Sequence, residues 1–85
     1  MRTITIYTTA LCPYCHRAKQ LLSQKAAPFQ EIDVTDHPAS RQQMLARAGG
    51  RTSVPQIWIG DTHVGGCDDL YALERAGTLD AMIHG

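Results

Sequence analysis

Two thiols three residues apart, in Cys12-Pro13-Tyr14-Cys15, are the part of this chain best suited to chemistry, because they follow a strand-like run and open a helix-like one. A Cys-x-x-Cys in that setting supports thiol–disulfide exchange, since the first turn of a helix treats its two sulfurs differently. With Cys12 as N-cap, Pro13 takes the first helical position, where its fixed φ and missing N–H cost nothing. The unpaired N–H groups of Tyr14 and Cys15 then point back at the Cys12 sulfur and, with the positive end of the helix dipole, favour thiolate over thiol. Cys12 therefore reads as the nucleophile. Cys15, one turn further in, is more shielded and can close a disulfide on Cys12, so it reads as the resolving thiol.

Other uses of the pair fit less well. A structural disulfide across so short a loop stabilises by only about 2 kcal/mol in the loop-entropy model. A closed zinc site needs four ligands, yet the only other cysteine is Cys67, and His16, His37, His63 and His84 are scattered along the chain. No metal is expected. The plain alternative is a pair of buried cysteines packed as small apolar residues.

The elements around the pair follow from periodicity. Thr3-Ile4-Thr5-Ile6-Tyr7 alternates at period two and is rich in β-branched residues, which predicts a strand. After Pro13, Ala18, Leu21, Leu22 and Lys25 recur at helical spacing, with Arg17, Lys19 and Gln20 left for solvent, so a helix runs to about Gln24. Pro28 punctuates, and Phe29 to Val34 alternates again as a second strand. A strand, helix and strand in so short a span form a right-handed βαβ unit with parallel strands. Asp36 or His37 then starts a helix with Pro38 in its first turn and Arg41, Met44, Leu45 and Ala48 on its inner side, stopped by Gly49-Gly50. Gln56 to Ile59 and Thr62 to Val64 form a hairpin around Gly60-Asp61. Gly65-Gly66 leads into a last long helix with Leu70, Leu73 and Ala76 on one face, ended by Gly77, and Leu79 to Ile83 adds a final turn.

Two further segments bear on the site. Pro55, in Thr52-Ser53-Val54-Pro55, cannot donate to a sheet ladder, so it is not an ordinary central-strand residue. A cis Val54-Pro55 bond would aim the Val54 backbone N–H and C=O outward, where they can pair with an extended peptide; a trans proline at a strand's first residue is the alternative, and the pattern leaves both open. Gly65-Gly66-Cys67-Asp68-Asp69 opens a helix whose first N–H groups can bind a carboxylate, while Asp68 and Asp69 offer acceptors for an amine. The same two acids serve equally as ordinary helix caps.

Composition narrows the partners. The chain has 85 residues, 44% of them hydrophobic, with eight basic and eight acidic side chains and a formal net charge of zero. One small folded domain over residues 1–85 is expected, and it is expected to be a monomer. Balanced charge gives no case for nucleic acid or an anionic membrane as the main partner, and no apolar run approaches the length of a membrane span. No signal-peptide pattern opens the chain, and three cysteines without one point to a reducing compartment, so a cytoplasmic location is expected.

Taken together, Cys12-Pro13-Tyr14-Cys15-His16, Thr52-Ser53-Val54-Pro55 and Gly65-Gly66-Cys67-Asp68-Asp69-Leu70 resemble, in order and spacing and over nearly the whole chain, the class I dithiol glutaredoxins of the small bacterial glutaredoxin 3 type. The resemblance implies an α/β thioredoxin fold, with a four-stranded mixed sheet flanked by three or four helices. It implies a cis Pro55 and a glutathione-dependent thiol–disulfide oxidoreductase, with glutathione as reducing co-substrate and no permanently bound cofactor. The implied glutathione groove comprises Tyr14, Arg51, Ser53, Val54, Pro55, Gly66, Cys67, Asp68 and Asp69, with Gln43 as a further contact to the glycyl carboxylate. Disulfide-containing or glutathionylated proteins, ribonucleotide reductase among them, are the implied clients.

Two positions depart from the pattern. Many relatives carry a lysine shortly before the first cysteine, where this chain has Thr8-Thr9-Ala10, so activation of Cys12 falls to the helix terminus and to Arg17 or Lys19. Ser53 stands where the motif usually has threonine. Two rivals compete with this reading: a redoxin served directly by thioredoxin reductase, which would not need the acids after Gly66, and an iron–sulfur carrier, against which the stiff Pro13-Tyr14 insert counts. Cys67 reads either as a site of oxidation or as a small half-buried residue.

Overall fold

Alternating Ile4 and Ile6 drive the first strand, and both side chains are lost to solvent in a core between the sheet and three helices. A computed structural model describes residues 1–85. The elements are β1 (Ile4–Thr8), α1 (Pro13–Gln24), β2 (Gln30–Asp33), α2 (Pro38–Arg47), β3 (Gln56–Ile59), β4 (Thr62–Gly65), α3 (Cys67–Arg75) and α4 (Leu79–His84). The four strands form one sheet in the order β2-β1-β3-β4, with β1 parallel to β2 and the other neighbours antiparallel. This is the mixed, helix-flanked sheet of the thioredoxin fold.

Period-two alternation splits the core in two. Ile57 and Ile59 of β3 join Ile4 and Ile6, Ala18, Leu21 and Leu22 of α1, Leu70 of α3, and Leu79 and Ile83 of α4 on one face. Trp58, between those isoleucines, must point the other way, and it packs with Tyr7, Val34, Met44 and Ala48 against α2. Both faces of the sheet are therefore covered.

Strand direction then gathers the chemistry at one end of the sheet. Tyr7, near the end of β1, pairs with Gln56 at the start of β3, and Gly65, at the end of β4, pairs with Ile57. The loop after β1, the proline loop before β3 and the turn after β4 thus meet, with the N-termini of α1 and α3 between them. Small differences from the expected boundaries have local causes. β1 runs from Ile4 to Thr8 rather than from Thr3 to Tyr7. β2 is shorter than Phe29 to Val34 because this edge strand pairs only with β1, over Gln30 to Asp33. Ala76 is an exposed helix cap rather than part of the inner face of α3.

Candidate active site

Cys12 is the N-cap of α1, with extended backbone at φ −138° and ψ 99°, and Pro13 follows as the first helical residue. The Cys15 N–H donates to the Cys12 sulfur at 3.1 Å, the contact that an N-cap side chain makes with the first turn. Cys12 and Cys15 are joined as a disulfide, with Cα atoms 5.2 Å apart. They are not equivalent: Cys12 is half-buried at the helix tip, while Cys15 is 1% exposed.

The two cations nearest along the chain each have a partner of their own. Lys19 is held 3.0 Å from Glu31 on β2, and Arg17 lies over the Tyr71 ring at 5.7 Å. Tyr71 in turn donates its hydroxyl to the Arg17 carbonyl at 3.1 Å. Hydrogen bonds from Lys19 and then Thr8 hold the Glu31 carboxyl below its usual range. Lys19 is thus tied to β2 and Arg17 to α3, while the oriented N–H groups of α1 act directly on the Cys12 sulfur.

The Val54–Pro55 peptide bond is cis, which settles what the pattern left open. The Val54 carbonyl oxygen lies 3.8 Å from the Cys12 sulfur. Neither the Val54 N–H nor its C=O has a backbone partner, so both are available to a ligand. Tyr14, Arg51, Ser53, Val54, Pro55, Gly66, Cys67, Asp68 and Asp69 line one groove of about 460 Å³ that runs from this loop to the start of α3. Gln43 does not line it: the residue is exposed on α2, whose inward side carries Met44 and Ala48.

At the far end of the groove, Asp69 has two partners. Its Oδ2 accepts the Gly66 N–H at 2.9 Å and lies 3.6 Å from the Arg51 guanidinium. Gly65 makes room for this arrangement, since at φ +113° a Cβ would collide with the Asp69 carboxylate and crowd Arg51. Asp68 is exposed and makes no hydrogen bond or ion pair within the chain. Cys67 is 5% exposed, and burial pushes its thiol above the ordinary range, with Arg17 opposing and Asp68 adding to the effect.

The family model for Glutaredoxin matches residues 4–64. The chain belongs to the glutaredoxin family. It is 64% identical over 83 residues to a glutaredoxin of Pseudomonas aeruginosa, covering 98% of both chains. It is 53% identical over 83 residues to Glutaredoxin 3 of Escherichia coli K12, covering 98% of this chain and 99% of the relative. Among solved structures, a buckwheat glutaredoxin–glutathione complex superposes with a TM-score of 0.85 at 31% identity, over 95% of this chain and 76% of that one. This glutaredoxin is accordingly a glutathione-dependent thiol–disulfide oxidoreductase that uses glutathione as its co-substrate.

One polar residue beside the site carries no motif in the sequence. Gln56, the first residue of β3, is wholly buried and bonded to both Ser53 and His63. The available signal was a polar amide directly after the loop proline, at a strand position whose neighbours are apolar. No helix of the chain is long and apolar enough to cross a membrane.

Proposed function

We propose that Cys12 is the nucleophile of this glutaredoxin, that Cys15 resolves its mixed disulfides, and that glutathione lies along the groove from Cys12 to the start of α3. The observation that carries the reading is that the unpaired Val54 N–H and the N-terminus of α3 share one groove, with the Cys12 sulfur beside it, 3.8 Å from the Val54 carbonyl oxygen. Glutathione's cysteinyl backbone pairs with Val54 in the manner of an added strand. Its γ-glutamyl carboxylate meets the orphan N–H groups of Cys67 and Asp68, its ammonium meets Asp68 and Asp69, and Arg51 takes the glycyl carboxylate.

The chemistry balances in two routes. Cys12 thiolate attacks the glutathione sulfur of a protein–glutathione disulfide, the protein thiolate leaves, and a second glutathione thiolate attacks the glutathionylated Cys12 to release oxidised glutathione. With a protein disulfide, Cys12 attack gives an enzyme–client disulfide. Cys15 thiolate then attacks the Cys12 sulfur, releasing the reduced client and leaving the Cys12–Cys15 disulfide for two glutathiones to reduce. Glutathionylated and disulfide-containing proteins are the clients, ribonucleotide reductase among them. The enzyme works as a monomeric single domain in the cytoplasm.

A hollow on the other side of Cys12 supports the client route. It is lined by Ala10, Leu11, Cys12, Pro13, His16 and Arg17, and Leu11 at its rim is 96% exposed. Peptide mapping after treatment of the Cys15→Ser protein with oxidised glutathione tests the assignment. Glutathione should be found on Cys12; a modified Cys67 beside an unmodified Cys12 contradicts it.

A further inference from the structure

Gln56 and Thr8 are the two polar residues in the buried set, and Gln56 is wholly enclosed. A buried amide is costly unless its hydrogen bonds are met, and here both of its ends are bonded. Its Nε2 donates to the Ser53 carbonyl at 2.9 Å and to the Ser53 hydroxyl at 3.1 Å, and its Oε1 lies 2.7 Å from His63 Nε2. A carbonyl can only accept, so the bond to Ser53 fixes which end of the amide is nitrogen. The oxygen must then face His63, and the imidazole must carry its proton on Nε2. The ring meets this demand whether neutral or doubly protonated.

His63 is itself held. It pairs across the strands with Trp58 and stacks on that indole with ring centroids 4.6 Å apart and planes 21° apart. Trp58 is fixed in turn by Tyr7, edge-on at 5.3 Å, and by the Arg47 guanidinium 4.3 Å from its ring. The charged groups acting on the imidazole are Arg51, Asp69 and Arg47. A line of side chains thus runs from α2 across the facing side of the sheet to the proline loop.

The end of that line is a single peptide group. The carbonyl of Ser53 and the N–H of Val54 belong to the same planar unit, and in a trans peptide they point in opposite directions. Holding the Ser53 oxygen toward Gln56 therefore turns the Val54 N–H away from the core. An accepted hydrogen bond at the carbonyl also polarises the N–H across the plane and strengthens it as a donor. We propose that Gln56, braced by His63, is a positioning residue for glutathione recognition: it sets the direction of the Val54 N–H without touching the ligand. This rests on the reading that glutathione pairs with Val54 in the groove.

The test uses the full chain with Gln56→Met, which keeps length and apolar packing and removes every hydrogen bond of the amide. The KM for a glutathionylated peptide should rise about tenfold, the equivalent of one misdirected hydrogen bond. The kcat and the rate of Cys12 alkylation should stay within about twofold, as expected when binding is lost uniformly. His63→Phe keeps the stack on Trp58 but removes the brace, and should raise KM in the same direction by a smaller factor. Nitrogen NMR of the unaltered protein should find the neutral His63 protonated on Nε2. The proposal fails if KM is unmoved in both variants, if alkylation falls in step with turnover, or if the proton sits on Nδ1. Asp68→Ala separates the two layers of the argument. A raised KM there with an indifferent Gln56→Met removes the positioning role alone, whereas indifference in both removes the groove reading beneath it.

Discussion

Asp69 has two roles that a pair of substitutions can pull apart. In the free protein its carboxylate caps α3 through the Gly66 N–H at 2.9 Å. Removing such a cap costs about 1 kcal/mol. The Arg51 pair adds little, since both side chains are about half exposed at 48% and 50% and such surface pairs contribute about 0–1 kcal/mol. Asp69→Ala should therefore lower Tm by about 4–8 °C in a domain of this size. With glutathione bound, the same carboxylate accepts from the γ-glutamyl ammonium. A charge-assisted bond is worth about 1.5–3 kcal/mol, and the open groove favours the lower end, so KM for a glutathionylated peptide should rise about tenfold. Asp69→Asn is the deciding variant. Its amide oxygen still accepts from Gly66 but carries no charge, so Tm should hold while KM rises. Asp68→Ala, which loses no contact within the chain, should raise KM with Tm unchanged. A normal KM in Asp69→Asn, measured by steady-state deglutathionylation beside thermal melts, would reduce Asp69 to a helix cap and refute its place in ligand recognition.

Other outcomes follow from the same geometry. Iodoacetamide alkylation of the reduced protein across pH should show Cys12 titrating well below the unperturbed thiol value of about 8.5, and an unshifted Cys12 would mean that the α1 terminus alone does not activate it. Cys67, buried and raised, should resist alkylation at neutral pH until the protein is unfolded; labelling of the native protein at Cys67 would contradict its burial. Burial first, then the charge of Arg51, lowers the pKa of His63, so the unfolded chain takes up this proton before the folded one does. Its contribution to stability is complete above the unfolded value of about 6.5 and fades as pH falls toward the lowered folded value. Melts between neutral and mildly acidic pH should accordingly flatten in His63→Phe, and an unchanged slope would count against the shift.

Local patterns in the chain carried most of the fold. The alternation of β1, the helical spacing of Ala18, Leu21 and Leu22, and the glycines at Gly49 and Gly65 act within a few residues, so each element was legible where it occurs. The βαβ unit and the hairpin then left few ways to assemble a mixed sheet. What the sequence did not reveal depends on distant partners. Lys19 is claimed by Glu31 twelve residues away, and Arg17 by Tyr71 at a separation of 54, so their availability to Cys12 cannot be judged from proximity along the chain. Gln43 is implied by the resemblance alone, and with Met44 turned into the core it is an exposed residue outside the groove lining. Nothing local to Gln56 marks it beyond its place at the start of β3, and only the closure of the sheet on Ser53 and His63 makes it a buried amide with three bonds.

The most direct test compares the unaltered enzyme with Cys15→Ser in two assays run side by side. Clearing glutathione from a mixed disulfide needs one enzyme thiol, because a second glutathione releases the adduct from Cys12. Reducing a protein disulfide needs a fast intramolecular step, which Cys15 supplies from one helical turn away at high effective concentration. Cys15→Ser should therefore retain deglutathionylation and lose most of its ability to reduce a client protein disulfide. Equal loss in both assays would contradict a Cys12 nucleophile working with glutathione held in its own groove.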